Sequence, residues 1–397
     1  MNSIILISII LEMIKISNNL ISMEPYKDIF INILTRDIDF KDAILDLVDN
    51  SIDAAKKTRK TNDLTNFEIK ITIDKSKFVI NDNCGGISID TATESAFRFG
   101  NDKTSSHDDQ SVGRFGIGMK RATFKIGNMI TVESATEKEY FKVIIDVFDW
   151  QKQKDWDIKF KQVTENKNKT VGTTIKVTNL KEDTIRKFTQ GTFIVALEES
   201  IREKHSDALE NGIRITLNNS VIDPLPKEKQ VKVAELKIKE KGFTGSISVY
   251  KAECNKKLAG WYIKFNNRVI IKADKSQLTG WGLSKIRDKM KTEEFEERFS
   301  SFRGYVDLID TKARMLPFNT TKNSVNKDSE EYEKILDYMV EAMNKSIPHF
   351  RDLGLKCISY KRPVEQVTKL MKLLDLKYAK DVGEYTYDQY IKNNNIK

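Results

Sequence analysis

The chain has 397 residues, 39% hydrophobic and 31% charged, which suffices for two globular cores and excludes a disordered or fibrous protein. Lys and Arg number 67 against 58 Asp and Glu, a formal net charge of +9; this favours an acidic partner such as DNA, although both signs are interleaved and most of that charge reads as solvated surface. Three cysteines, Cys84, Cys254 and Cys357, lie too far apart in sequence for a zinc-ligand set or a disulfide framework, so the expected compartment is a reducing cytoplasm.

The opening "MNSIILISIILEMIKIS" is apolar but has no basic leader and no small-residue cleavage site, and it is interrupted by Glu12 and Lys15. It is too short to span a bilayer, so residues 1–23 are expected to be a non-secretory extension and no membrane contact is expected. From Tyr26 to Leu180 helical and strand patterns alternate, an α/β layer arrangement. The first is a helix through "KDAILDLVDNSIDAAKKT". Leu45, Val48 and Ile52 mark one side of it; Asp46, Asn50 and Asp53, at steps of four and three residues, share another. Taken alone, such a polar arc is most often the wet face of an amphipathic helix; the functional alternative makes Asn50 a neutral oxygen ligand for magnesium and Asp46 a carboxylate that orients or deprotonates water.

Strands "FEIKITI" and "KFVIND" follow, the second running into Asp82-Asn83-Cys84-Gly85-Gly86. A polar stretch, "FRFGNDKTSSHDDQS", places Lys103 and Thr104 where a closing loop would reach phosphate. "VGRFGIGMKRATF" then sets Gly113, Gly116 and Gly118 just before a helix, so that backbone N–H groups could approach an anion closely. It is not a P-loop, because the G-x-x-x-x-G-K-[ST] order is missing. The strand "TVGTTIKVTNL" opens with Gly172 and Thr173.

After a charged connection, "KEDTIRKFTQGTF", the segments "AELKIKEK", "GSISVYKAE", "WYIKFNNRVII" and "RGYVDLID" read as strands, with helices expected at about 191–205 and 327–347. Tyr332, Ile335, Leu336, Met339, Val340, Met343 and Ile347 form one apolar stripe at helical spacing, the pattern of core packing. A basic helical tail follows Pro348.

Taken together and in this order, the acidic-Asn helix, the D-x-G-x-G turn, the polar stretch, the second glycine box and the late Gly-Thr strand resemble the GHKL ATPases: gyrase-type topoisomerases, heat-shock chaperones, histidine kinases, MutL and MORC proteins. Within that group "DLVDNSIDA" and "GRFGIGMKRA" look most like MORC-like and related bacterial ATP-binding proteins. The resemblance implies an α+β protein: a Bergerat-fold α/β sandwich ATPase domain over 24–185, a ribosomal-S5-like transducer over 186–350 and a helical tail over 351–397. It implies ATP and Mg²⁺ as cofactors, an ATP-dependent homodimer, and DNA or a partner effector protein as further contacts. By the same resemblance Asp82 would accept the adenine amino group, Gly86 would admit the base and Thr173 would support Asp82. Asn50 would hold Mg²⁺, with Asp53 on the same nucleotide-facing arc. Lys103, Thr104 and the loop from Gly113 through Phe115 and Gly116 to Gly118, with Lys120, would enclose the phosphates. Asp46 would be the general base, and Lys322, in "LPFNTTKNSV", the transducer lysine that reaches the terminal phosphate. Two positions depart from the family pattern: Asp46 stands where Glu is usual, implying slow turnover, and Cys84 replaces the first glycine of the D-x-G-x-G turn.

Overall fold

The computed structural model describes residues 25–59, 61–100, 116–283, 292–310 and 316–351. Strands β1 (Glu68–Ile73), β2 (Phe78–Asp82), β3 (Gly127–Ala135), β4 (Glu139–Asp146), β5 (Phe160–Glu165), β6 (Gly172–Leu180), β7 (Arg214–Leu217) and β8 (Ser220–Val221) form one sheet. Its order is β5-β4-β3-β6-β2-β1-β7-β8, antiparallel except where β7 joins β1 in parallel. The helix α1 (Phe40–Arg59) is started by Asp39, whose Oδ1 accepts the N–H of Asp42 at 2.7 Å. Lys56, Lys57 and Arg59 close its last turn, where cations oppose the helix dipole. It packs against α2 (Gly118–Ile126), which leads directly into β3.

The apolar core under this sheet does not stop near residue 185. It takes in Phe188 and then Phe193, Leu197 and Ile201 of α3 (Gly191–Lys204), and it continues through Ile215 and Leu217 to Ile222. The charged stretch expected to connect two domains is itself helical over Glu182–Phe188 and buries Thr184 and Phe188 while Ile185 stays exposed, so Phe188 belongs to the first core. Along the chain the first core ends at Ile222, and the next strand begins the second.

The second sheet consists of β9 (Val231–Glu240), β10 (Phe243–Lys251), β11 (Gly260–Phe265), β12 (Arg268–Asp274) and β13 (Phe302–Asp310), in the order β12-β11-β13-β10-β9. "WYIKFNNRVII", expected as one strand, is a hairpin: Asn266 and Asn267 adopt φ of 51° and 66°, the left-handed pair that a tight two-residue turn requires and Asn tolerates. The helix α4 (Glu330–Ser346) packs on β9 and β10 and buries Tyr332, Ile335, Met339, Val340 and Met343, so the apolar stripe is core packing.

Cys84 is free and buried, but Cys254 is disulfide-bonded. Sequence spacing carries no information about which thiols meet in space, and the expectation of a reducing compartment loses the support it drew from the absence of pairing. Among the described residues no helix is long and apolar enough to cross a membrane.

Candidate functional site

Asp82 ends β2 opposite Thr173 of β6, which in turn faces Ser134 of β3, so three strands bring three polar side chains into one row. The Asp82 carboxylate accepts the N–H of Cys84 (2.9 Å) and of Thr173 (3.2 Å) on Oδ1 and the hydroxyl of Ser51, from α1, on Oδ2 (2.7 Å). Burial raises its pKa and these three donors offset part of that rise. Thr173 reaches Asp82 through its backbone; its hydroxyl pairs with that of Ser134 at 2.9 Å. The turn after Asp82 needs its glycines: Gly86 has φ of 75°, and a Cβ there would lie 2.1 Å from the carbonyl oxygen of Ala135. Cys84 does not take a positive φ, so the glycine missing at that position costs the backbone nothing. Its thiol is sealed in the core, where burial pushes its pKa up.

The other half of the site is a cluster of charges under α1. Asp46 and Asp49 are each only 2% exposed, and Arg121, Arg268, Lys322 and His205 around them are 2–4% exposed. Asp46 Oδ2 accepts from Arg121 at 2.8 Å and its Oδ1 lies 3.0 Å from the Lys322 ammonium. Lys322 also donates to Asp49 Oδ2 at 2.7 Å, while Asp49 Oδ1 takes His205 Nε2 at 2.8 Å and the guanidinium of Arg268. Burial alone would raise the Asp49 pKa, but Arg268, Lys322 and His205 outweigh it and hold the carboxyl well below the usual range. Burial would likewise lower Lys322; Asp46 and Asp49 reverse it, and the ammonium ends up with a raised pKa.

Local sequence explains how Lys322 gets there. Asn319 and Asn323 tie the loop "NTTKNS" into a compact turn: the Asn319 carbonyl accepts from Lys322 N at 3.0 Å, its Oδ1 accepts from Asn323 N at 3.1 Å, and a bridge between Phe318 and Val325 closes the base. Lys322 itself has φ of 53°, a strained conformation for a non-glycine residue, held by this turn and by the two carboxylates. Asn323 adds a bond to Asp42 of α1 at 2.8 Å.

Of the remaining expected residues, Asn50 and Asp53 sit half-buried on α1 one and two turns beyond Asp46. Gly118 packs on Asp46; a Cβ there would meet its Oδ2 at 3.3 Å. Gly116 carries φ of 63° just before α2. Lys120 is committed elsewhere: it is 5% exposed, donates to the carbonyls of Ala96 (2.9 Å) and Arg98, and burial brings its pKa down to about 8. That ammonium closes the end of the helical segment Ala92–Ala96, just before the polar stretch. Lys103, Thr104, Gly113 and Phe115 fall outside the described residues. Asp49, Arg121, His205 and Arg268 were not anticipated. Asp49 could have been, since it lies three residues after Asp46 and thus on the same face; nothing in the sequence ties Arg268 or His205 to that face.

Among the described residues no group of three His, Cys, Asp or Glu side chains could hold a metal ion. A magnesium ion would therefore rest on one or two protein oxygens, Asn50 first among them, and on oxygens of its ligand, the usual arrangement for magnesium with phosphates. A separate hollow of about 470 Å³ opens at the N-terminal end of α1, lined by Arg36, Asp39, Lys41, Lys125 and Phe193. It is ten residues along the helix from Asn50 and shares no residue with the Asp82 corner or the charge cluster.

Residues 38–185 match the family model described as "Histidine kinase-, DNA gyrase B-, and HSP90-like ATPase". The matched span holds α1, the Asp82 corner, α2 and β6, and it supports both the GHKL superfamily for this part of the chain and ATP binding. Residues 186–397, including Arg268 and Lys322, lie outside the match. No curated protein matches the chain.

Proposed function

We propose that the protein is a magnesium-dependent ATPase, MORC-like in kind, in which ATP gates the pairing of two copies in a DNA-related process. The part beyond the first sheet is read as a ribosomal-S5-like transducer. The observation that carries this reading is the path of Lys322: a lysine from the second core ends on Asp46 and Asp49 of α1, so the state of the α1 site and the position of the second core are linked.

In this mechanism Asp82 accepts the adenine amino group, and its carboxylate is already oriented by Ser51, Cys84 N–H and Thr173 N–H. Gly86 lets the turn lie directly against the Ala135 carbonyl, where a Cβ would clash, and so keeps the backbone close beside the Asp82 corner. Asn50 contributes an oxygen to magnesium, which supplies neutralisation of phosphate charge when bound. Asp46 orients water and takes its proton, and Lys322 balances charge at the terminal phosphate. Phosphoryl transfer to water needs mostly positioning and charge balance, which is what this set of side chains offers.

One observation favours a second reading, an ATP-gated interaction module with little hydrolysis: both oxygens of Asp46 are taken by cations, and the carboxylate is free to act only if Lys322 leaves it. Phosphate release by purified protein, abolished by Asn50→Ala, supports the enzyme; tight ATP binding with no release above background leaves the module. Mass in solution with no nucleotide, with ADP and with a non-hydrolysable ATP analogue tests the gating, and a monomer in all three states sinks it.

A further inference from the structure

The two cations on Asp46 differ in where they are anchored. Lys322 comes from a strained loop of the second core, whereas Arg121 springs from α2, within the first core and just after the second glycine segment. A single atom of Arg121, Nη2, donates both to Asp46 Oδ2 at 2.8 Å and to the carbonyl of Thr320 at 2.9 Å, two residues from Lys322. Its Nη1 lies 3.5 Å from the Thr320 hydroxyl. The guanidinium is 4% exposed, and three elements meet on this one planar group: α1, α2 and the Lys322 loop.

We propose that Arg121 is a positioning residue for hydrolysis: it pins Asp46 by Oδ2, so that Oδ1 is the oxygen presented to water once Lys322 withdraws, and its bond to Thr320 makes that presentation depend on the Lys322 loop. The proposal rests on the ATPase reading above. In the step it serves, the water oxygen bonds to the terminal phosphorus, the bond from that phosphorus to the bridging oxygen breaks, and the water proton passes to Asp46 Oδ1, leaving ADP and phosphate. The contact also bears on the short side chain at position 46. Gly118 and Arg121 close in on Asp46 from α2, and a fixed guanidinium holds in one orientation a carboxylate that cannot reach as far as Glu.

The test is steady-state phosphate release together with equilibrium ATP binding for the wild type, Arg121→Ala, Arg121→Lys and Asp46→Asn. Misplacing a reacting group costs on the order of 10- to 100-fold in rate, so Arg121→Ala is expected to lose that much kcat. KM and ATP affinity stay within about threefold, because the contact acts after binding. Arg121→Lys, which keeps the charge but not the planar fork, recovers part of kcat. Wild-type kcat in both Arg121 variants alongside an inactive Asp46→Asn overturns the proposal and spares the ATPase reading. Loss of ATP binding in step with kcat in Arg121→Lys, the milder variant, makes the residue a structural support and overturns it too. Full activity in Asp46→Asn, or none in the wild type, removes the reading and the proposal with it.

Discussion

Asp49→Asn removes one of two carboxylates from a buried group that also holds Arg121, Arg268 and Lys322. In the wild type, Asp46 serves Arg121 and Lys322 while Asp49 serves Lys322, Arg268 and His205. Neutralising Asp49 leaves three cations facing one carboxylate, with water excluded, and Arg268 loses its counter-ion. Removing one partner of a buried ion pair typically costs about 3–5 kcal/mol, a large share of the 5–15 kcal/mol that holds a domain folded. Urea unfolding at pH 7 measures this directly, with Trp150 and Trp156 reporting the first core and Trp261 and Trp281 the second. The difference between variant and wild type also has a pH signature. Asp49 has a depressed pKa in the folded state, so its contribution is fully present above the unfolded value of about 3.8 and is lost as pH falls through the lower folded value. The gap is therefore expected to hold from pH 8 to pH 5 and to close only in strong acid. Arg268→Met alone leaves Asp49 with Lys322 and His205. Combined with Asp49→Asn it removes the uncompensated charge, so the double variant should be more stable than the sum of the single losses predicts. A loss under about 1 kcal/mol for Asp49→Asn, or strict additivity in the double variant, would refute the account of this cluster as a coupled ionic unit.

Gly86→Ala forces a Cβ to 2.1 Å from the Ala135 carbonyl oxygen at φ of 75°, and about 1–3 kcal/mol of stability and most ATP affinity should go, as read by thermal unfolding and by displacement of a fluorescent ATP analogue. Cys84→Gly should leave ATP affinity unchanged, because no positive φ is needed there, while emptying a core position lowers stability by about 1 kcal/mol; a large gain in affinity would contradict this. His205 is held neutral by burial, with its pKa below 6.5, so the unfolded chain takes up the proton first and stability falls as pH drops below about 6.5, by at most about 1.4 kcal/mol per pH unit. In His205→Gln that part of the pH 7 to 5 slope should vanish, and an unchanged slope would assign it to other groups.

The candidate-site segments were legible because each is a local pattern with a local cause. The arc of Asp46, Asn50 and Asp53 follows from helical geometry, the turn after Asp82 from its glycines, and the stripe on α4 from apolar periodicity. Lys322 was reachable only by resemblance, since nothing in "NTTKNS" taken alone distinguishes its lysine from a surface one. The hairpin at Asn266 and Asn267 was missed although its signal, two adjacent Asn between apolar runs, was present. The extent of the first core was missed because β7 joins β1 in parallel across more than a hundred residues of chain, and long-range pairing leaves no periodic mark.

By itself, then, the sequence determined which faces and turns exist: a polar arc on α1, a glycine turn after an acid, a glycine box before α2. Whether Asp46 and Asp49 stand in water or in a sealed cluster was decided only by the tertiary structure. Exposure depends on what covers a face, and here the cover is supplied by residues 75 to 276 positions away, Arg121, His205, Arg268 and Lys322. That burial converts an amphipathic helix face into a charge-coupled joint between two cores. It also leaves both oxygens of Asp46 held by cations, one from each core.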